Sequence, residues 1–313
     1  MGPGGMRELL ARTRPVLLDG AVGTELARRG IPTTLPLWSA QALTSDEGLR
    51  VLTAIETDYA AAGAEILVTN TFRTTLRALG RAGRGGLWRT VNERAVACAR
   101  AGARSVPHPC LVAGGIAPLE DCYRPDLVPG ADECRREHAR QVELLVELGV
   151  DLLFLETMNA KREALAALHA AVSAGLDVLV SLCPRPPAAL LSGEPLADAL
   201  PELVAAGGAR LRGILLNCAS PEQLDEIYPR FAALAPEVPH GVYAHLGAPD
   251  PDSGWTLPEA HEPDRYARWM ARRIDEGAAF VGGCCGTTPA HIAALARLLG
   301  ARESSVDGGG SGR

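Results

Sequence analysis

Eight short apolar runs, each followed by a segment with helical spacing, constrain this chain more than any other feature. The runs cover 16–18, 64–69, 110–116, 151–155, 177–182, 211–216, 238–245 and 278–283. Most are apolar throughout rather than alternating, which is the pattern of strands buried on both faces. The segments between them have the other periodicity. In 46–62, for example, Leu49, Leu52, Ile55, Tyr59 and Ala62 recur on one side and Gly63 follows as the stop. Eight strand–helix units in one chain predict the α/β class and a closed (β/α)8 TIM barrel rather than an open doubly wound sheet. No Gly-x-Gly-x-x-Gly follows the first run, which weakens a dinucleotide fold further. The expected barrel spans 16–300, after an N-terminal extension, 1–15, and before a Gly/Ser-rich tail, 301–313, expected to be disordered.

Loop lengths say which face works. Helix-to-strand joints such as Gly149-Val150 and Glu276-Gly277 are tight, whereas the strand-to-helix segments 117–130, 184–195 and 246–262 are long. In such barrels the C-terminal strand ends ring the active site. Asp19, Asn70, Glu156, Asn217, Cys218, Cys284 and Cys285 all fall at such ends. Singly each has a bland role: turn residue, helix cap or small hydrophobe. Together Cys218, Cys284 and Cys285 can offer three soft thiolates to one metal ion, and zinc is the expected guest.

Composition limits what the cysteines mean. The chain is 47% hydrophobic and 22% charged, with a net charge of −6, and its basic residues form no cluster in sequence. A nucleic-acid partner is therefore not expected, nor is a membrane, since no apolar run approaches the roughly 20 residues a bilayer needs. A reducing cytoplasm is the expected setting, where eight cysteines are free thiols or ligands more often than disulfides. Cys98, Cys110, Cys122, Cys134 and Cys183 read as structural or incidental thiols, and Cys122 with Cys134 lacks the second pair another metal site would need.

The residues also carry a resemblance. Leu18-Asp19-Gly20-Ala21-Val22-Gly23-Thr24-Glu25-Leu26, Leu37-Trp38-Ser39-Ala40, Thr69-Asn70-Thr71-Phe72, Glu156-Thr157, Asn217-Cys218 and the segment 282–287 resemble, in order, the motifs of the homocysteine S-methyltransferase family. That resemblance implies the same barrel fold, zinc on Cys218, Cys284 and Cys285 as the catalytic centre, and methyl transfer from a cationic donor to the thiolate of homocysteine, giving methionine. It also implies that Glu156 receives the substrate ammonium and that Asp19 belongs to the site. Asn70 and Asn217 are taken with the substrate-binding residues. Backbone N–H groups of Gly20, Ala21 and Val22, in a turn before a helix, are candidates for the substrate carboxylate.

For the donor, a sulfonium or quaternary ammonium calls for aromatic faces, and Trp38, Tyr243 and Trp255 are the candidates, Trp38 foremost. Betaine-using relatives have an aromatic residue just after Thr71-Phe72; this chain has Arg73, which favours S-methylmethionine or S-adenosylmethionine over betaine. After strand seven, relatives commonly carry Asn where this chain has His245, either a resting fourth ligand or a residue that hydrogen-bonds the loop. That departure leaves another thiol or a selenol open as acceptor. Also open are a folate or cobalamin partner protein as donor, a zinc-binding or redox-sensing barrel without turnover, a metal-dependent hydrolase, and homo-oligomerisation.

Overall fold

The computed structural model describes residues 5–250, 254–256 and 262–308. Its eight-stranded sheet is parallel throughout. The strands are β1 (Val16–Leu17), β2 (Ile66–Val68), β3 (Leu111–Ile116), β4 (Leu152–Met158), β5 (Val178–Leu182), β6 (Leu211–Asn217), β7 (His240–Tyr243) and β8 (Phe280–Val281). Each pairs with its neighbour in sequence, and β8 pairs with β1. A parallel bridge between Leu18 and Ile66, with Glu65 N–H donating to Leu17 O at 2.8 Å, joins β1 to β2 and closes the barrel. The expected architecture is the one observed.

Helix α1 (Gly5–Leu10) precedes the strands, and α2 (Val22–Arg28), α3 (Asp46–Ala61), α4 (Leu76–Arg81), α5 (Trp88–Arg104), α6 (Ala131–Glu147), α7 (Lys161–Ser173), α8 (Leu196–Gly207), α9 (Pro221–Leu234), α10 (Pro263–Asp275) and α11 (Pro289–Gly308) follow them. Local signals set several of the starts. Ser45 caps α3 and Thr75 caps α4, each accepting a backbone N–H, and Ser220 forms a capping box with Gln223 on α9. Among the described residues no helix is long and apolar enough to cross a membrane.

Two apolar layers result. The outer one lies between strands and helices; the inner one fills the barrel with Val16, Leu18, Ile66, Leu111, Leu152, Phe154, Leu179, Leu215 and Phe280. Phe280 occupies space left by glycines: a Cβ at Gly213 would stand 2.5 Å from its ring, and one at Gly241 would meet its carbonyl at 2.5 Å. Helix Gly5–Leu10 adds Met6 and Leu9 to the same inner layer, so part of the expected N-terminal extension is core. The last helix likewise continues to Gly308, beyond the expected start of the tail at 301; residues 309–313 lie outside the described residues.

One core residue is out of place for its chemistry. Glu56, on α3, is fully buried and neither carboxylate oxygen has a hydrogen-bond partner. Burial, with Asp19 nearby, raises its pKa well above the ordinary carboxyl range. In the unfolded chain the group ionises near its usual value, so the native state binds the extra proton. Its contribution to stability is complete below the unfolded pKa and is lost as pH rises towards the folded one. Urea unfolding should therefore show wild type losing stability relative to Glu56→Gln as pH rises above the ordinary carboxyl range, by at most about 1.4 kcal/mol per pH unit. Parallel profiles for the two proteins would count against a protonated Glu56.

Candidate active site

The C-terminal strand ends open into a cavity of about 430 Å³. Its wall takes in Asp19, Gly20, Ala21, Val22, Trp38, Asn70, Glu156, Cys218, Cys284 and Cys285, ten of the twelve residues singled out from the sequence. Asn217 and His245 do not line it. Tyr243 and Trp255, the other aromatic candidates, do, and so does Arg73.

At the first rim position the Asp19 carboxyl accepts Val68 N–H at 2.7 Å while its carbonyl accepts Gly283 N–H at 3.0 Å, so one residue ties β1 to β2 and to the end of β8. Burial pushes its pKa up to about 8. The following turn is less free than the sequence suggests. Ala21 N–H donates to Thr287 Oγ1 at 3.2 Å and Ala21 O accepts the Tyr59 hydroxyl at 2.9 Å. Of the three amides expected for a carboxylate, that of Ala21 is thus already engaged.

Among the described residues three non-glycine residues have positive φ: Trp38 at 45°, Thr157 at 64° and Cys218 at 52°. All three line the cavity. Such backbone costs of order 1–3 kcal/mol each and persists where surrounding structure enforces it. Here the enforcement is visible. Asn70 Nδ2 donates to Ser39 O at 2.9 Å and holds the Trp38 segment, whose indole also meets Phe72 edge-on at 5.8 Å. Asn217, wholly buried, donates to Thr157 Oγ1 at 2.8 Å and accepts the Ser181 hydroxyl at 2.7 Å. Its position behind the wall makes it a brace for the ends of β4, β5 and β6.

That brace sets the thiols. Cys218 Sγ stands 3.3 Å from Cys284 Sγ and 3.7 Å from Thr157 Oγ1, and Cys285 follows in the same wall. Backbone bonds fix the double cysteine: Cys284 N–H to Ala244 O at 3.0 Å and Leu246 N–H to Cys285 O at 2.7 Å. Hydrogen bonds from Cys218 and then Cys285 pull the Cys284 thiol well below the usual thiol range, while the same bonds and burial push its two partners up. Among the described residues no three His, Cys, Asp or Glu side chains already stand as a metal-ready group. Two sulfurs bound tetrahedrally at about 2.3 Å lie about 3.8 Å apart. Cys218 and Cys284 need part by only about half an ångström to meet that, and the donor set is the soft one zinc prefers.

Glu156 faces the thiols from β4. Protein encloses it except through the cavity, and burial, with Cys284 and Asp19 adding repulsion, pushes its pKa up to about 8. His245 sits behind the wall. Its backbone N–H donates to Ala219 O at 3.1 Å, its ring meets Trp255 edge-on at 5.0 Å, and its Nδ1 is buried without a hydrogen-bond partner. Burial lowers its pKa. From the sequence Thr157 enters only within the Glu156-Thr157 motif with no role of its own, Asp121 and Tyr123 are passed over and Cys122 reads as incidental, although these last three line the cavity from the long 117–130 loop. The length of that loop was the available signal.

Comparison with known proteins agrees with this geometry. The family model described as homocysteine S-methyltransferase matches residues 16–299. The homocysteine S-methyltransferase of Escherichia coli (strain K12) is 31% identical, the match covering 93% of this chain and 97% of that protein. A selenocysteine Se-methyltransferase of Brassica oleracea var. italica is 26% identical over 96% of this chain and 93% of its own. The crystal structure of the homocysteine methyltransferase MmuM from Escherichia coli, metallated form, superposes with a TM-score of 0.80 at 28% identity, covering 94% of this chain and 99% of that one.

Removing the brace tests its weight. Asn217→Ala strands the buried hydroxyls of Ser181 and Thr157, and urea unfolding should show a loss of about 2–4 kcal/mol. A loss under about 0.5 kcal/mol, the range of an inconsequential surface change, would mean that the rim is held by something else.

Proposed function

Because the chain belongs to the homocysteine S-methyltransferase family, we propose that it transfers a methyl group from a sulfonium donor to the thiolate of homocysteine, forming methionine. The observation that carries this reading is the meeting of Cys218, Cys284 and Cys285 in a cavity that also holds Glu156 and the rings of Trp38, Tyr243 and Trp255. A hydrolase would need a base beside an activated water, and the sulfur-rich wall favours a soft nucleophile instead.

The three thiols are the residues that would hold zinc. Bound there, zinc would supply the Lewis acidity that stabilises the thiolate of a substrate thiol, so that its proton is released to solvent at neutral pH, while three thiolate ligands would keep that sulfur electron-rich. Glu156 receives the homocysteine ammonium. An ammonium beside the carboxyl offsets the effect of burial, so the pair forms with loss of the Glu156 proton. Asp19 keeps the first turn in register with β2 and β8, and the amides of Gly20 and Val22 are left to meet the carboxylate. His245 supports the Trp255 side of the wall.

In the transfer, a bond forms between the homocysteine sulfur and the methyl carbon as the donor's carbon–sulfur bond breaks. The bonding pair stays on the donor sulfur, which becomes a neutral thioether. Opposite charges disappear together in this step, so a cavity poor in water favours it, and the protein's contribution is largely in-line placement. The Trp38 ring suits a sulfonium, and where betaine-using relatives carry an aromatic residue this chain has Arg73, so that ring face is missing for a quaternary ammonium such as betaine. With S-methylmethionine both products are methionine; S-adenosylmethionine presents the same sulfonium. A selenol acceptor is a second reading, favoured by the similarity to the Brassica selenocysteine enzyme.

Purified protein, loaded with zinc under reducing conditions and given homocysteine with each donor in turn, should form methionine with a sulfonium. Cys284→Ser should lose most bound zinc and at least about 100-fold in turnover, since all three ligands act as one unit. Glu156→Ala should raise the homocysteine KM by about tenfold or more, one charge-assisted contact. Turnover by Cys284→Ser at the wild-type rate would reject the reading.

A further inference from the structure

Among the described residues, two opposite charges in the cavity wall have no ionic partner. Arg73 lines the cavity, and among the described residues its guanidinium makes no ion pair. Its one hydrogen bond is a long one, Nη1 to Glu120 O at 3.4 Å, and its Nε is shut off from water with nothing to donate to. The acids nearby are already in use. The Glu120 carboxylate is held by Arg77 and Arg81, and Arg77 also takes Glu133 and Glu137. Phe72 supplies only a ring face, 5.7 Å from the guanidinium.

Asp121, on the 117–130 loop, lines the same cavity. One of its oxygens accepts Tyr123 N–H at 2.8 Å, which fixes the carboxylate, yet no cation lies within ion-pair distance of it among the described residues. The next loop charge, Arg124, turns to Asp126 at 2.6 Å and leaves Asp121 alone. Arg73 and Asp121 do not satisfy each other either. Partly buried charges held apart in one cavity are unfavourable unless something else supplies their counter-charges. A zwitterion does so with a single molecule.

The geometry points to Arg73 and Asp121 as the receptor for the α-amino-acid head group of the methyl donor. Arg73 takes the donor carboxylate in the two-pronged manner of a guanidinium, and Asp121 takes its ammonium. Exposed Leu35 and Arg124 mark this part of the wall as the mouth, whereas Cys218 is buried. A donor anchored there by its head group sends its sulfonium inwards, along the aromatic rings, to the thiols. This inference rests on the transferase reading above and adds to it the residues that hold the donor's head group. A sulfonium without a head group gives Arg73 and Asp121 nothing to bind, and betaine has no N–H to offer Asp121.

The test compares S-methylmethionine with trimethylsulfonium, the same charged sulfur without the head group, on zinc-loaded wild type, Arg73→Met, Arg73→Lys and Asp121→Asn. Zinc content and homocysteine affinity are measured on each sample. Wild type should prefer S-methylmethionine in kcat/KM, and Arg73→Met should raise its KM by about 10- to 100-fold, the weight of a charge-assisted contact, with the preference falling in step. Arg73→Lys should recover part of the loss, Asp121→Asn should show a smaller one, and zinc and homocysteine binding should stay at wild-type levels. An unmoved S-methylmethionine KM in Arg73→Met, a wild type that uses both donors equally, or a rise in the homocysteine KM instead would overturn the head-group assignment and leave the transferase reading standing. A wild type that turns over no sulfonium would overturn both.

Discussion

Closure of the parallel sheet is the constraint on which everything else in this molecule depends. With β1 paired to β8 and bridged to β2, all eight strands must deliver their last residues to one rim. Residues nearly 200 positions apart, such as Cys218 and Asp19, then share one wall without any element having been shaped for the purpose. Phe280 and the glycines that make room for it fill the interior below, so the rim is a surface on a solid core.

Polar groups do at the rim what apolar groups do beneath it. Asn217 stitches three strand ends through Ser181 and Thr157, and Asp19 stitches three more through Val68 and Gly283. These bonds hold Thr157 and Cys218 in backbone conformations that neither residue favours. The thiols are pre-positioned as a result. The rest of the wall is organised differently: burial pushes the Asp19 and Glu156 carboxyl groups up, and among the described residues Arg73 makes no ion pair. A pocket whose charges are unsettled when empty suits charged, amino-acid-like molecules.

Much of this was legible from residues alone, for definable reasons. Apolar runs without alternation gave the strands, and short against long connections gave the working face. Cys218, Cys284 and Cys285 could be grouped because their strand positions were known before their contacts were. Other features depend on contacts that no local pattern encodes. Gly5–Leu10 is too short for periodicity to mark it as core, yet Met6 and Leu9 seal the barrel's inner layer. The Ala21 amide is taken by Thr287, which lies 266 positions further along. Asn217 has the right neighbours to be read as a substrate contact, and only its hydrogen bonds place it behind the wall. Asp121 and Tyr123 sit in a loop with no period to read.

The central claim is that three cysteines from two strand ends form one site that accepts a fourth sulfur from the substrate. X-ray absorption at the zinc edge, on the loaded protein alone and then with homocysteine, tests it most directly. The account predicts about three sulfur neighbours at roughly 2.3 Å in the protein alone and a fourth once homocysteine is added. Zinc surrounded mainly by nitrogen and oxygen, or a sulfur count that homocysteine leaves unchanged, would contradict it.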